Sequence, residues 1–238
     1  MNRNIASLIP VCVAFVLAPL AASAAPITAP TGLNPGDQYR LAFVTSTTTQ
    51  AFSTNIADYN AFVTTAANSV PELFALGTTW SAIGSTRFFG GHVDARDNTA
   101  TNPSSTGVAL YNLADSLVAS NNADLWDSTI ANPINVDEHG AILDTLVWTG
   151  TFDDGLALFG QELGTFPSSH STSTIGNSTF TDLRWVHETA APPANRLSLY
   201  AMSGVLTVVP EPSSMALGCL AAAGLAVPML RRRRHCKR

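Results

Sequence analysis

Between residues 25 and 209 the chain has no cysteine and no lysine; Cys12, Cys219, Cys236 and Lys237 all lie towards its ends. The body therefore has no disulfide, no thiol nucleophile and no thiolate metal site, and its stability must come from burial of apolar area. Charge is scarce and one-sided. Arg40, Arg87, Arg96, Arg184 and Arg196 face 16 acids in that body, a net charge of −11. An acidic surface of this kind argues against nucleic acid and anionic lipid as partners. Motifs with a catalytic mechanism are missing as well: there is no His-Glu-x-x-His, no Gly-x-Ser-x-Gly and no phosphate-cradling glycine loop. No catalytic residue is assigned, and a non-enzymatic protein is expected.

The ends of the chain are apolar. Arg3 precedes an apolar stretch over residues 5–20 broken by Pro10 and Pro19, and Ala22-Ser23-Ala24 offers the small-x-small pattern that signal peptidase accepts. Residues 1–24 thus read as a secretory signal, cleaved after Ala24. At the other end, residues 215–230 are apolar but rich in Ala and Gly. As a helix they would cover about 24 Å, short of the roughly 30 Å hydrocarbon core. Pro210 and Pro212 prevent that helix from extending backwards. Arg231, Arg232, Arg233 and Arg234 open the basic tail that follows, and such residues stay cytoplasmic. The expected topology is body out, tail in.

Pro210-Glu211-Pro212, the thin apolar segment and the arginine clamp together resemble the PEP-CTERM sorting signal of exported bacterial proteins. The resemblance covers residues 209–238. It implies recognition of the tripeptide by an exosortase, a membrane-embedded protease that removes the tail. The partners expected are signal peptidase and exosortase as processing enzymes, and the inner membrane through the terminal segment. The mature protein is placed at the cell envelope, the outer surface or outside the cell. A plain tail anchor would give the same topology without processing.

Residues 25–38 carry three prolines and read as an extended lead-in. A strand over residues 39–46 puts Tyr39, Leu41 and Phe43 on one face. Asn55 is the expected cap of a helix, with Asp58 as capping-box partner and Ile56, Tyr59, Phe62, Val63 and Ala66 at helical spacing. Pro71 and Glu72 open a second, short helix ended by Gly77. Strands are expected at residues 79–83, 108–112, 145–149, 183–187 and 197–209, with Leu197, Leu199 and Ala201 inward. Residues 166–181 read as a loop, and the loops within 113–144 are long for a compact domain.

In this order of elements the body, residues 39–209, resembles a bacterial C-type-lectin-like domain related in layout to endostatin. The segments that carry the resemblance are Trp80-Ser81-Ala82-Ile83, Asp94-Ala95-Arg96-Asp97, Asp124-Leu125-Trp126-Asp127, Val147-Trp148-Thr149-Gly150 and the closing Arg196-Leu197-Ser198-Leu199-Tyr200. It implies an α+β fold with two N-terminal helices, a small antiparallel sheet, long loops, and paired first and last strands. The cysteines, the Glu-Pro-Asn or Gln-Pro-Asp loop and the Trp-Asn-Asp strand of sugar-binding members are missing, so sugar binding is not carried over. Fold alone does not grant function.

Three sets of residues offer chemistry. Asp137-Glu138-His139, Asp153-Asp154 and Asp94/Asp97 supply oxygen donors of the kind a structural Ca²⁺ takes, although adjacent loop carboxylates more commonly form turns. No metal ligand set and no other cofactor is assigned. His92-Val93-Asp94 and His187-Glu188 suggest acid–base work without a motif to support it. Trp80, Trp126, Trp148 and Trp185 could form a platform for an extracellular polysaccharide, but each lies in or beside an expected strand, where a large ring more often serves the core. Arg87, Arg96, Arg184 and Arg196 are expected to pair with carboxylates. The reading that results is an exported, cell-surface or matrix component with a structural or adhesive role; its rival is a polysaccharide-binding module or hydrolase.

Overall fold

The structure, a computed structural model, describes residues 25–88, 91–164 and 172–209. The signal segment, the sorting motif Pro210-Glu211-Pro212, the apolar run and the arginine tail lie outside the described residues. Among the described residues no helix is long and apolar enough to cross a membrane.

Strand β1 (Gln38–Val44) organises the molecule because alternate side chains serve two cores. Tyr39, Leu41 and Phe43 join one buried cluster, and Ala42 and Val44 join the other. The helices α1 (Ile56–Asn68) and α2 (Pro71–Phe74) cover the first face. Asn55 caps α1 through its side chain, which accepts from Ala57 N–H at 3.1 Å. Asp58 does not close a direct capping box: it accepts from Ser53 Oγ at 2.5 Å, and Ser53 Oγ in turn accepts Asn55 N–H. Tyr59, Val63, Ala66 and Ala67 form the buried stripe of α1, at the expected spacing.

The remaining elements are β2 (Trp80–Ala82), β3 (Thr86–Phe88), β4 (Gly91–Val93), α3 (Ala95–Asn98), β5 (Ala109–Asn112), β6 (Leu117–Ala119), α4 (Asn122–Leu125), β7 (Leu146–Trp148), β8 (Ser173–Asn177), a 3-10 turn (Leu183–Trp185), β9 (Thr189–Ala191), β10 (Ser198–Ser203) and β11 (Leu206–Thr207). Nine strands form one mixed sheet, in the order β6-β5-β1-β10-β7-β8-β9, with β11 added to β1 and β2 added to β10. The small antiparallel sheet expected from the sequence is thus too modest. The β1–β5 and β10–β7 pairs are parallel, and β3–β4 form a separate hairpin. First and last parts of the body do pair: β1 runs antiparallel to β10, with Phe43 opposite Ala201.

Strand β10 lies at the centre and is buried at all six positions. Leu199 and Ala201 enter one core while Tyr200 and Met202 enter the other, so the expected one-sided alternation is replaced by burial on both faces. The second face is covered by chain from the 95–134 region and by Trp185 and Val186. This explains the long connections: they are a packing layer.

Three expected elements differ. Instead of the strand expected over residues 183–187, Leu183–Trp185 form a 3-10 turn, because Asp182 accepts Arg184 N–H at 3.1 Å and caps it. Ser173–Asn177, within the expected loop, is a strand bonded between β7 and β9. Its Ser/Thr/Gly composition hides it, but Ser173 and Thr174 are buried beside Ile175. The closing strand breaks at Gly204, whose N–H donates to Thr79 O, and Leu41 N–H is taken up by Ser203 Oγ at 2.9 Å.

Candidate functional site

Along α1 and its C-cap a second stripe, Asp58, Ala61, Phe62, Thr65 and Ser69, recurs at three- and four-residue spacing beside the buried one. It forms one wall of a cleft of about 440 Å³. Opposite stand Ser46 and Thr47, which follow β1, together with Glu138 and His139. The loop carrying the latter is built by Asp137. Its Oδ1 accepts His139 N–H at 2.9 Å and Ala141 N–H at 2.8 Å, while Gly140 N–H donates to Asp137 O. An isolated bridge between Val136 and Ile142 closes the loop.

Glu138 is only 1% exposed and no arginine pairs with it. Its carboxylate accepts Ser46 N–H at 2.9 Å and Ser46 Oγ–H at 2.5 Å. These charge-assisted bonds compensate its burial. His139 Nε2 lies 3.8 Å from Glu138 Oε1 at the exposed rim. Phe62, part-buried against the main core, supplies the apolar wall. Ser46 Oγ, Thr65 Oγ1 and Ser69 Oγ donate their protons within the protein, to Glu138, Ala61 O and Ala66 O. Their oxygen lone pairs remain as acceptors. Among the described residues lining it, the cleft has two carboxylates, one histidine and no lysine or arginine.

The carboxylates named from sequence do not converge. Asp94 Oδ1 accepts Ala157 N–H at 2.8 Å and lies 3.4 Å from His92 Nε2. Asp153 accepts Ser128 Oγ–H at 2.5 Å, and Asp154 accepts Leu156 N–H. Asp97 sits in the first turn of α3. Each of the hydrogen-bonded ones shapes a loop, and among the described residues no three His, Cys, Asp or Glu side chains are placed to hold a metal ion. The His187 ring lies tilted against Phe152 with centroids 5.0 Å apart, and Glu188 Oε2 is buried with no hydrogen-bond partner among the described residues.

The tryptophan platform is corrected. Trp80, Trp126, Trp148 and Trp185 are at most 5% exposed, so none offers a ring face to a ligand. Trp80 packs edge-on against Phe43 at 5.1 Å, and Trp126, Trp185 and Tyr200 form a ring ladder with spacings of 5.7 and 5.9 Å. Burial holds the Tyr39, Tyr59 and Tyr200 hydroxyls in their protonated form, well above the usual phenol range for Tyr200, where the Glu188 charge adds to the effect.

The expected arginine–carboxylate pairing is corrected too. Among the described residues Arg184 alone has a carboxylate partner, Asp182 at 2.6 Å, at the surface and with Phe180 beneath the guanidinium. Arg40 donates to Thr99 O and Ser203 O, and Arg196 donates to Thr48 O. Arg87 lies over the Phe159 ring at 5.2 Å.

Comparison with protein-family models finds no match for the chain, and comparison with curated proteins finds none either. The cleft was not legible in the sequence as a site, because its wall is assembled by α1 and a loop some seventy residues downstream. One signal was present. Phe62 is a partly exposed aromatic on α1, set among the exposed Asp58, Ala61 and Thr65.

Proposed function

We propose that this protein is an exported cell-surface or extracellular-matrix component whose body is of C-type-lectin-like type and whose role is adhesive or structural without turnover. An N-terminal signal directs export. The PEP-CTERM segment then holds the tail in the inner membrane until exosortase removes it. The observation that carries the reading is where the body ends. Strand β11 returns to β1, with Gln38 opposite Thr207, and Val208 exchanges backbone hydrogen bonds with Gly36 and Asp37 at 2.9 Å. Val209 is 77% exposed. Val209 is the last described residue, and Pro210 follows it directly in the sequence. A body closed in this way hangs from a single point and leaves its other surfaces, the α1 cleft included, free to meet a partner.

Intact mass of the protein from cells with and without an exosortase tests this. Loss of the terminal segment only where the protease is present supports the reading. An identical, full-length carboxyl end in both strains would overturn it.

A further inference from the structure

The cleft between α1 and the Glu138-His139 loop joins negative charge to apolar walls. Asp58 and Glu138 both line it. Glu138 accepts two hydrogen bonds from Ser46, and Asp58 accepts one from Ser53. Those donors are neutral groups, so the bonds leave the carboxylate charge in place. Glu138 is 1% exposed, which keeps water from screening it fully. The one cation-forming side chain among the described lining residues is His139, 53% exposed, with Nε2 3.8 Å from Glu138 Oε1. The body around the cleft adds a negative field, with a net charge of −11 over residues 25–209.

The rest of the α1 wall is Ala61, Phe62 and Ala66, with the Thr65 and Ser69 hydroxyls donating to Ala61 O and Ala66 O. At about 440 Å³ the cleft has the size of a small-molecule site. Each simple ligand class uses only part of it. An anion is repelled by two carboxylates. A bare metal ion lacks ligands, since among the described residues no three His, Cys, Asp or Glu side chains are placed to hold one. A neutral apolar molecule meets the walls and leaves the charge unanswered. An ammonium group on a short apolar body answers both, and the face of an aromatic ring such as Phe62 attracts cations as well.

We propose that this cleft binds a small organic ammonium ion, a protonated amine carried on an apolar body of side-chain size. Asp58 and Glu138 supply the attracting charge, and Phe62, Ala61 and Ala66 take the apolar body. Ser46 is a positioning residue, because its two hydrogen bonds hold Glu138 at the cleft wall. No bond is made or broken. The site is independent of the export reading: failure to bind an amine leaves tail processing untouched, and an unprocessed tail leaves the cleft unchanged.

The test is calorimetry at pH 7 on the full chain in detergent solution. The probes are 2-phenylethylammonium and hexylammonium, their neutral counterparts 2-phenylethanol and hexanol, the anion 3-phenylpropanoate, calcium chloride and a tetra-arginine peptide. At least one ammonium should bind with a Kd of about 1 mM or tighter, and about tenfold more tightly than its alcohol. Ala61→Trp fills the cleft from an exposed helix position and should weaken binding about tenfold or more. Asp58→Asn keeps an acceptor for Ser53 and removes one charge. It should lose several-fold in affinity with a thermal unfolding midpoint near that of the parent. His139→Lys, at an exposed position, sets a fixed cation in the lining and should weaken binding likewise. Absence of binding by both ammonium probes overturns the proposal. So does equal affinity for an ammonium and its alcohol, binding that Ala61→Trp leaves unchanged, or tighter binding of the anion, calcium or the peptide.

Discussion

Ser46 gives both its backbone N–H and its hydroxyl proton to Glu138, a carboxylate 92 positions further along the chain. The contact ties the end of the first strand to the loop that faces α1, and so sets the width of the cleft. Glu138→Ala removes two hydrogen bonds, and because the exposed Ser46 can turn its donors to water the cost should be about 0.5–1.5 kcal/mol in chemical unfolding. Glu138→Gln keeps an acceptor oxygen and should recover most of that loss. Equal destabilisation by the two would show that the contact contributes nothing specific.

Leu41 and Ser203 provide the second prediction. The break before β11 leaves Leu41 N–H to the Ser203 hydroxyl at 2.9 Å, and both residues are buried. Ser203→Ala orphans that N–H and should cost about 1–3 kcal/mol, whereas Ser104→Ala at the surface should be close to neutral. Urea titration of the two variants measures the difference.

Two glycines separate space from backbone conformation. A methyl group on Gly176 would stand 2.0 Å from Trp185 O, a rigid backbone atom, so Gly176→Ala should cost about 3 kcal/mol or more. Gly32 has φ +82 but open space around it, so Gly32→Ala should cost only about 1–2 kcal/mol. Reversal of that order in thermal unfolding would contradict the packing of β8 on the 3-10 turn.

Tyr39, Tyr59 and Tyr200 have phenol pKa values raised by burial. In the unfolded chain they ionise near pH ~10. The folded state therefore holds these protons more tightly, and the stability that results is fully present below about pH 10 and falls as pH rises beyond it. Tyrosinate absorbance should accordingly show these three groups appearing together with loss of far-ultraviolet dichroism. A smooth titration of all tyrosines in a still-folded protein would contradict their burial.

The four tryptophans should emit at short wavelength and resist iodide, since none is more than 5% exposed. Trp148→Ala should cost about 3–5 kcal/mol, because its ring is fully buried and its Nε1–H donates to Thr49 O at 3.0 Å. Ready quenching of native fluorescence would contradict this core.

Local pattern was enough for α1, for the Pro71 start of α2, and for the positions of β1, β2, β5 and β7 to within about two residues. In those segments the hydrophobic period, the Asn55 cap and the β-branched or aromatic content agree with the final burial. It failed at β8, where Ser173, Thr174 and Gly176 look like loop residues until β7 and β9 flank them. It failed again at Trp185, where an Asp182 cap outweighed strand composition. Arg196 reads as an ion-pair member because sequence counts charges but not carbonyls, and in the structure it donates to Thr48 O, whereas Arg184 does pair with Asp182. Arg40 shows the alternative, with burial lowering its pKa while two carbonyls hold it.

By itself the sequence determined the chemistry available to this protein: a body without thiols or lysine, acidic overall and bounded by two apolar segments. Only the tertiary structure decided which polar groups meet. Glu138 reads as one of three adjacent loop residues until β1 brings Ser46 to it, and Phe62, packed against the core as its spacing suggests, also lines the same cleft. Covalent neighbours along the chain set composition and period, but hydrogen bonds between residues about ninety positions apart form only once the sheet has folded.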